Sequence, residues 1–276
     1  MKTLRLLARD MRGGMLRRWY LLVIPVIFAA ARAGELHHLI NQMAELNILY
    51  TEGTAADYVM YVMQGTPVFN FDPKEYFSIP IYWFAFQMGL AYMLAYYSYD
   101  DFTENGRVLL IASGSRKSWW MGKFIYCVLS VAVYFAVGYL AVCVAAGFYG
   151  ADMSFHVTKS LAAELYPSAV VSLGSFDVLL LSVILPVLIS MAVSAVQVLV
   201  GFLVNPVVSF AGVCALYVLS AYYTAWYFVG NYTMWQRMSY VVEDGISPES
   251  GLAVAGGLLL ITLVGGMMYF ENKDVM

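Results

Sequence analysis

Residues 177–204 read DVLLLSVILPVLISMAVSAVQVLVGFLV, with no charged side chain after Asp177. A helix needs about 20 mostly apolar residues to cross the hydrocarbon of a bilayer, so this run predicts a membrane span. Working outward, segments 76–99, 121–149, 207–229 and 251–270 meet the same length. A shorter run, Trp19 to Ala31, continues through Arg32 and Glu35 into Leu36, Leu39, Ile40, Met43, Asn47 and Tyr50 at helical spacing. It reads as one long or broken helix whose far half leaves the membrane, with Pro25 as the expected kink. Its membrane part is taken as about 19–40.

Composition agrees. Hydrophobic residues make up 62% of the chain and charged residues 12%, against roughly 45–50% and 25% in soluble domains. So few charges cannot build a water-facing surface. The predicted fold class is an all-α integral membrane protein: six transmembrane helices (residues 19–276) preceded by a cytoplasmic amphipathic interfacial helix (residues 1–18). Cys127, Cys143 and Cys214 lie in apolar runs with no CxxC or Cys/His pairing, so they read as buried thiols. Arg32 and Glu35 follow the first apolar run without a small-x-small cleavage site, so that span is expected to stay attached.

Orientation follows from basic residues. With both ends inside, the cytoplasmic segments hold Lys2, Arg5, Arg9, Arg12, Arg17, Arg18, Arg107, Arg116, Lys117, Lys123 and Lys273, leaving Arg32, Lys74, Lys159 and Arg237 outside. The positive-inside rule therefore predicts a multi-pass protein of the cell membrane with cytoplasmic termini. Trp19-Tyr20, Trp119-Trp120 and Trp226-Tyr227 fall near predicted span ends, where amphipathic rings favour the interface. The longest outer loop, 34–75, carries an acidic excess from Glu35, Glu45, Glu52, Asp57, Asp72 and Glu75. Asn231-Tyr232-Thr233 fits the glycosylation pattern, a match common by chance.

Two cytoplasmic segments attract attention. At 100° per residue, Leu4, Leu7, Ala8, Met11 and Met15 form an apolar stripe opposite Lys2, Arg5, Arg9 and Arg12. Such a helix suits an anionic membrane surface, with Arg5, Arg9 and Arg12 toward lipid head groups, before the chain turns inward at Gly13-Gly14 or Arg17-Arg18. The loop 101–118 has polar edges around a wholly apolar middle, Val108 to Ala112. Those side chains must be buried against head groups, neighbouring spans or another protein.

The spans hold almost none of the ionisable groups that gradient-driven transporters carry at mid-membrane, with Arg32 expected toward the outer leaflet and Asp177 at the outer end of its span. Ser194 and Gln197 read as interhelical hydrogen-bonding groups, with a substrate path as the alternative. Enzymatic chemistry is not expected: there is no GxxxxGK[ST] loop and no HExxH, and His37, His38 and His156 all lie in outer segments. A His37-His38 metal site lacks a third ligand at a convincing spacing.

The layout resembles the permease subunits of type-2 ATP-binding cassette (ABC) exporters. The sharpest likeness is DFTENGRVLLIASGSRKSWWMGK, residues 101–123, followed by the tail Tyr269 to Val275. The resemblance implies that residues 101–118 dock into a separate ATPase, with Asp101, Glu104, Asn105, Gly106, Arg107, Leu109, Leu110 and Arg116 as the coupling contacts. It implies an ATPase dimer as partner, and a second copy of this chain or a sister permease beside it. ATP and magnesium would be used by the partner, with no cofactor on this chain and no nucleic-acid partner. An amphipathic or hydrophobic cargo (peptide, lipid or drug) suits the uncharged spans. The competing readings are a gradient-driven carrier, and a non-transporting immunity or sensor component that uses the long outer loop.

Overall fold

The computed structural model describes residues 10–69, 77, 79–100 and 116–272. Eight helices carry the fold: α1 (Trp19–Glu45), α2 (Ala55–Val62), α3 (Ile81–Asp100), α4 (Arg116–Phe148), α5 (Lys159–Leu165), α6 (Ser175–Leu203), α7 (Pro206–Tyr222) and α8 (Pro248–Asn272). Among the described residues there is no strand; Thr54 with Asp152 and Met238 with Ile246 form isolated bridges. Helices α1, α4, α6 and α8 are long and apolar enough to cross a membrane, whereas Ile81–Ala95 and Pro206–Tyr222 are shorter apolar helices. The chain is thus an all-helical, membrane-embedded protein.

Helix α6 is the axis, packed on α3, α4, α7 and α8. Within its most apolar stretch 67% of the residues are buried, against 22% in α8, so α6 is cored by protein while α8 leaves most of its surface to lipid. Buried Ser190, Ala192, Ser194 and Ala195 on α6 let neighbouring backbones approach. Close approach also explains Gly89 of α3: a Cβ there would lie 2.6 Å from Ile24 Cγ2 and 2.7 Å from the Tyr134 hydroxyl.

The helix starts and stops follow local chemistry. Helix α1 opens with a 3-10 turn, Trp19–Leu22, and becomes α-helical at Val23. Pro25 therefore falls in the first α-helical turn, where its missing N–H leaves no bond unmade; the expected kink site is a change of helical register. The helix runs to Glu45, and Asn47 then takes a left-handed conformation (φ 57°). At α7, Asn205 Oδ1 accepts from Val207 N at 2.7 Å and Pro206 occupies the first turn. Helix α7 ends at Tyr222, and the remainder of predicted segment 207–229 is irregular.

The two ends of the bundle differ. At one, here called the base, the N-terminal segment, the start of α4 and the end of α8 meet. At the other, a cap is woven from the α1–α3, α4–α6 and α7–α8 connections. Every residue of α2 is buried, although it belongs to the loop expected to be an acidic exterior. Thr54 and Asp57 cap it reciprocally, and Asp57 also accepts from Thr158 N. Arg237 is fully buried in the cap: Nε donates to the Thr66 carbonyl, the remaining N–H groups to the Pro67, Ser220 and Ala221 carbonyls and Asn231 Oδ1. Ser220 and Ala221 end α7, so the guanidinium caps the negative end of that helix. Burial pushes its pKa down to about 10, still protonated at neutral pH. Asn231 is itself fully buried, so the glycosylation triplet is inaccessible in the folded chain.

Candidate functional site

The base holds a buried ion pair that pattern reading missed. Lys123 Nζ lies 3.1 Å from both carboxylate oxygens of Asp10 and 2.6 Å from the Tyr97 hydroxyl. The two charged side chains are 2% and 8% exposed, and Nζ also faces the Tyr97 and Trp119 rings at 5.0 and 5.6 Å. By charge pattern alone Lys123 is one more cytoplasmic cation. The signal was present: a lysine inside an apolar helix demands a partner, and Asp10 is the acid among Arg5, Arg9 and Arg12. Removing one member of such a pair strands the other, which is costly at about 3–5 kcal/mol.

Arg116, the first residue of α4, donates to the Glu271 carbonyl at 3.2 Å, and Lys117 pairs with the Glu271 carboxylate at 2.9 Å. The second pair is about half exposed on both sides, so screening limits its worth. Beneath them Trp119 and Trp120 pack on Phe270, and Trp119 on Phe202. The start of α4 is thus fastened to α3, α8 and the N-terminal segment together. The other predicted coupling residues, Asp101, Glu104, Asn105, Gly106, Arg107, Leu109 and Leu110, lie outside the described residues. So do Arg5 and Arg9 of the expected surface helix. Arg12 is exposed on a π-turn, Met11–Leu16, while Met15 is buried. The chain turns into α1 at Arg17-Arg18 rather than at the glycines.

Midway along the bundle a polar thread links three helices. Gln87 Oε1 of α3 accepts from Ser190 of α6 and Tyr217 of α7, each at 3.2 Å. Gln197 Nε2 donates to the Ala91 carbonyl at 2.8 Å, an interhelical bond, while among the described residues its buried Oε1 has no partner. Gln197 also lines an apolar groove of about 400 Å³ between α6, α7 and α8, walled by Val193, Val196, Val208 and Leu216. Ser194 is buried but is not among the groove's walls.

The third polar site is at the cap end of α1. Arg32 NH1 lies 2.6 Å from Glu35 and NH2 donates to the Tyr61 carbonyl at 3.3 Å. Its guanidinium stacks over Tyr61 at 4.1 Å and Tyr82 at 5.2 Å. The Tyr61 hydroxyl donates to Glu35, and burial pushes its pKa up to about 12. Among the described residues no group of three His, Cys, Asp or Glu side chains is placed to hold a metal ion; His37 stacks on Tyr149 at 4.1 Å instead. The chain matches no protein-family model, no curated protein and no solved structure.

Proposed function

We propose that this chain is the permease subunit of a type-2 ABC exporter, driven by a separate ATPase and moving an amphipathic or hydrophobic cargo. The observation that carries the reading is the anchoring of the start of α4. Residues 101–115 feed directly into Arg116, and a push on them would reach α8 through Glu271, α3 through Tyr97 and the N-terminal segment through Asp10. In this reading the base faces the cytoplasm and the chain crosses the cell membrane six times. Two observations support six crossings. Helix α3 has 20 residues and α7 has 17, which at 1.5 Å each span about 30 and 26 Å. Both also pack along α6, which is long enough to cross by itself. The groove at Gln197 would be the cargo-facing surface, one acceptor in an apolar wall. The partners are an ATPase dimer and a second permease, with ATP and magnesium held by the ATPase.

Substitution at the proposed docking segment tests this. Leu109→Asp and Glu104→Arg should leave membrane insertion intact and abolish co-purification of an ATP-binding subunit from the native membrane. Retention of that subunit by both variants overturns the reading.

A further inference from the structure

Two arginines at the cap end are treated differently by the fold. Arg237 places its N–H groups on four carbonyls and an amide oxygen in a fully closed site. Arg32 has Glu35 and one carbonyl as acceptors among the described residues, and then opens on a cavity of about 200 Å³. Gln64, Thr66 and the first turn of α3, Pro80 to Trp83, form the other walls. At about 30 Å³ per water, the space holds roughly six waters or one phosphate-sized group. Beside it, Phe28, Met63 and Phe86 close the space against Arg32, Val62, Tyr82 and Trp83 to only about 10 Å³. The cavity between α1 and α3 is therefore polar at Arg32, Gln64 and Thr66 and bounded on one side by packed aromatic side chains. Its mouth lies where α3 begins, beside Ile81 and Tyr82, which are 72% and 41% exposed, as expected at a membrane–water interface.

We infer that this cavity binds an anionic membrane amphiphile, its phosphate or carboxylate head on Arg32 and its chain against Ile81, Tyr82 and Phe28 at the mouth. A planar guanidinium has five donors in a fork that fits such anions, and the two acceptors it already meets leave donors toward the cavity. The exposed Ile81 and Tyr82 at the mouth distinguish a lipid-like ligand from a soluble anion. Glu35 competes for the same guanidinium from the opposite side, so the two charged residues act on affinity with opposite signs. The site rests on α1 and α3 lying in the membrane and not on the ATPase partnership, so either reading can fail alone.

The test uses the full chain in phosphatidylcholine nanodiscs. Brominated phosphatidylglycerol or brominated phosphatidylcholine is added, and quenching of Trp83 is read as the difference from Trp83→Phe. The phosphatidylglycerol form should quench at about tenfold lower mole fraction, the factor a charge-assisted hydrogen bond supplies. Arg32→Gln should erase that preference, Thr66→Val should weaken it, and Glu35→Gln should strengthen it. Glu35 is half-buried and Thr66→Val leaves the ion pair untouched, so these two decide the matter even where Arg32→Gln does not fold. Equal quenching by both lipids, or a preference indifferent to Glu35→Gln and Thr66→Val, overturns the inference. Relief of quenching by millimolar inorganic phosphate also overturns it, by making the cavity a soluble-anion site.

Discussion

Lys123 lies two turns into an apolar helix, and its charge is tolerated because Asp10 and Tyr97 close around it. Either residue alone would be an uncompensated buried group; together they fasten the N-terminal segment to α4. Lys123→Met or Asp10→Asn alone should therefore destabilise the detergent-solubilised protein by about 3–5 kcal/mol. The double variant should recover much of that loss, because no stranded charge remains. Thermal unfolding of the four proteins in a double-mutant cycle measures the coupling, and strictly additive losses would refute it. Gln197 shows the converse economy. Its amide nitrogen crosses to α3 while its oxygen, among the described residues, is left without a partner beside an apolar groove.

Helix α2 illustrates how an element can contradict its surroundings in sequence. Residues 34–75 read as a long acidic exterior, yet Ala55–Val62, apolar but for the capping Asp57 and its tyrosine hydroxyls, is buried on all sides. It packs on α1 and α4, so it needs both before it has anywhere to bury itself. Its tyrosines give the cap a signature in alkali. Burial raises Tyr58 and Tyr61, and Tyr166 beside them. A phenol whose folded pKa exceeds its unfolded value of about 10 ionises first in the unfolded chain, so its stabilisation is complete below pH 10 and declines above it. For Tyr61 the decline runs from about 10 to about 12. Ultraviolet titration of phenolate formation should show these groups ionising late and together with loosening of the cap. Tyr61→Phe should reduce that alkaline loss, and an unchanged profile would count against the buried assignment.

At the scale of the whole molecule, each end of the bundle carries a cluster of charged residues. Lys117, Arg116 and Lys123 gather at the base, and Glu243, Asp244 and Glu249 follow the cap turns near Ile246. Cysteine labelling in intact cells tests which side each faces, in a background with Cys127, Cys143 and Cys214 replaced by Ala. Ser247→Cys should react with a membrane-impermeant maleimide, and Lys117→Cys only after permeabilisation; the reverse pattern would invert the topology. The helical class and the long membrane-embedded helices were legible in the chain because apolar length is a local property. The positions of α4, α6 and α8 could be read from uncharged runs such as 177–204. The apolar run 207–229 overshoots the short helix α7, because Tyr223 to Val229 are as apolar as a span yet turn back as cap. The partners of Lys123 and Arg237 were not legible, since they lie up to 113 and 171 positions away, and only packing decides which distant carbonyl or carboxylate a buried charge meets. Hydrophobicity along the chain by itself determined that this protein lives in a membrane. Tertiary structure alone decided which charges were sealed, as at Arg237, and which were left facing an open cleft, as at Arg32. The physical reason is that desolvating a charge is a cost set by the whole surroundings and not by the neighbouring residues in sequence.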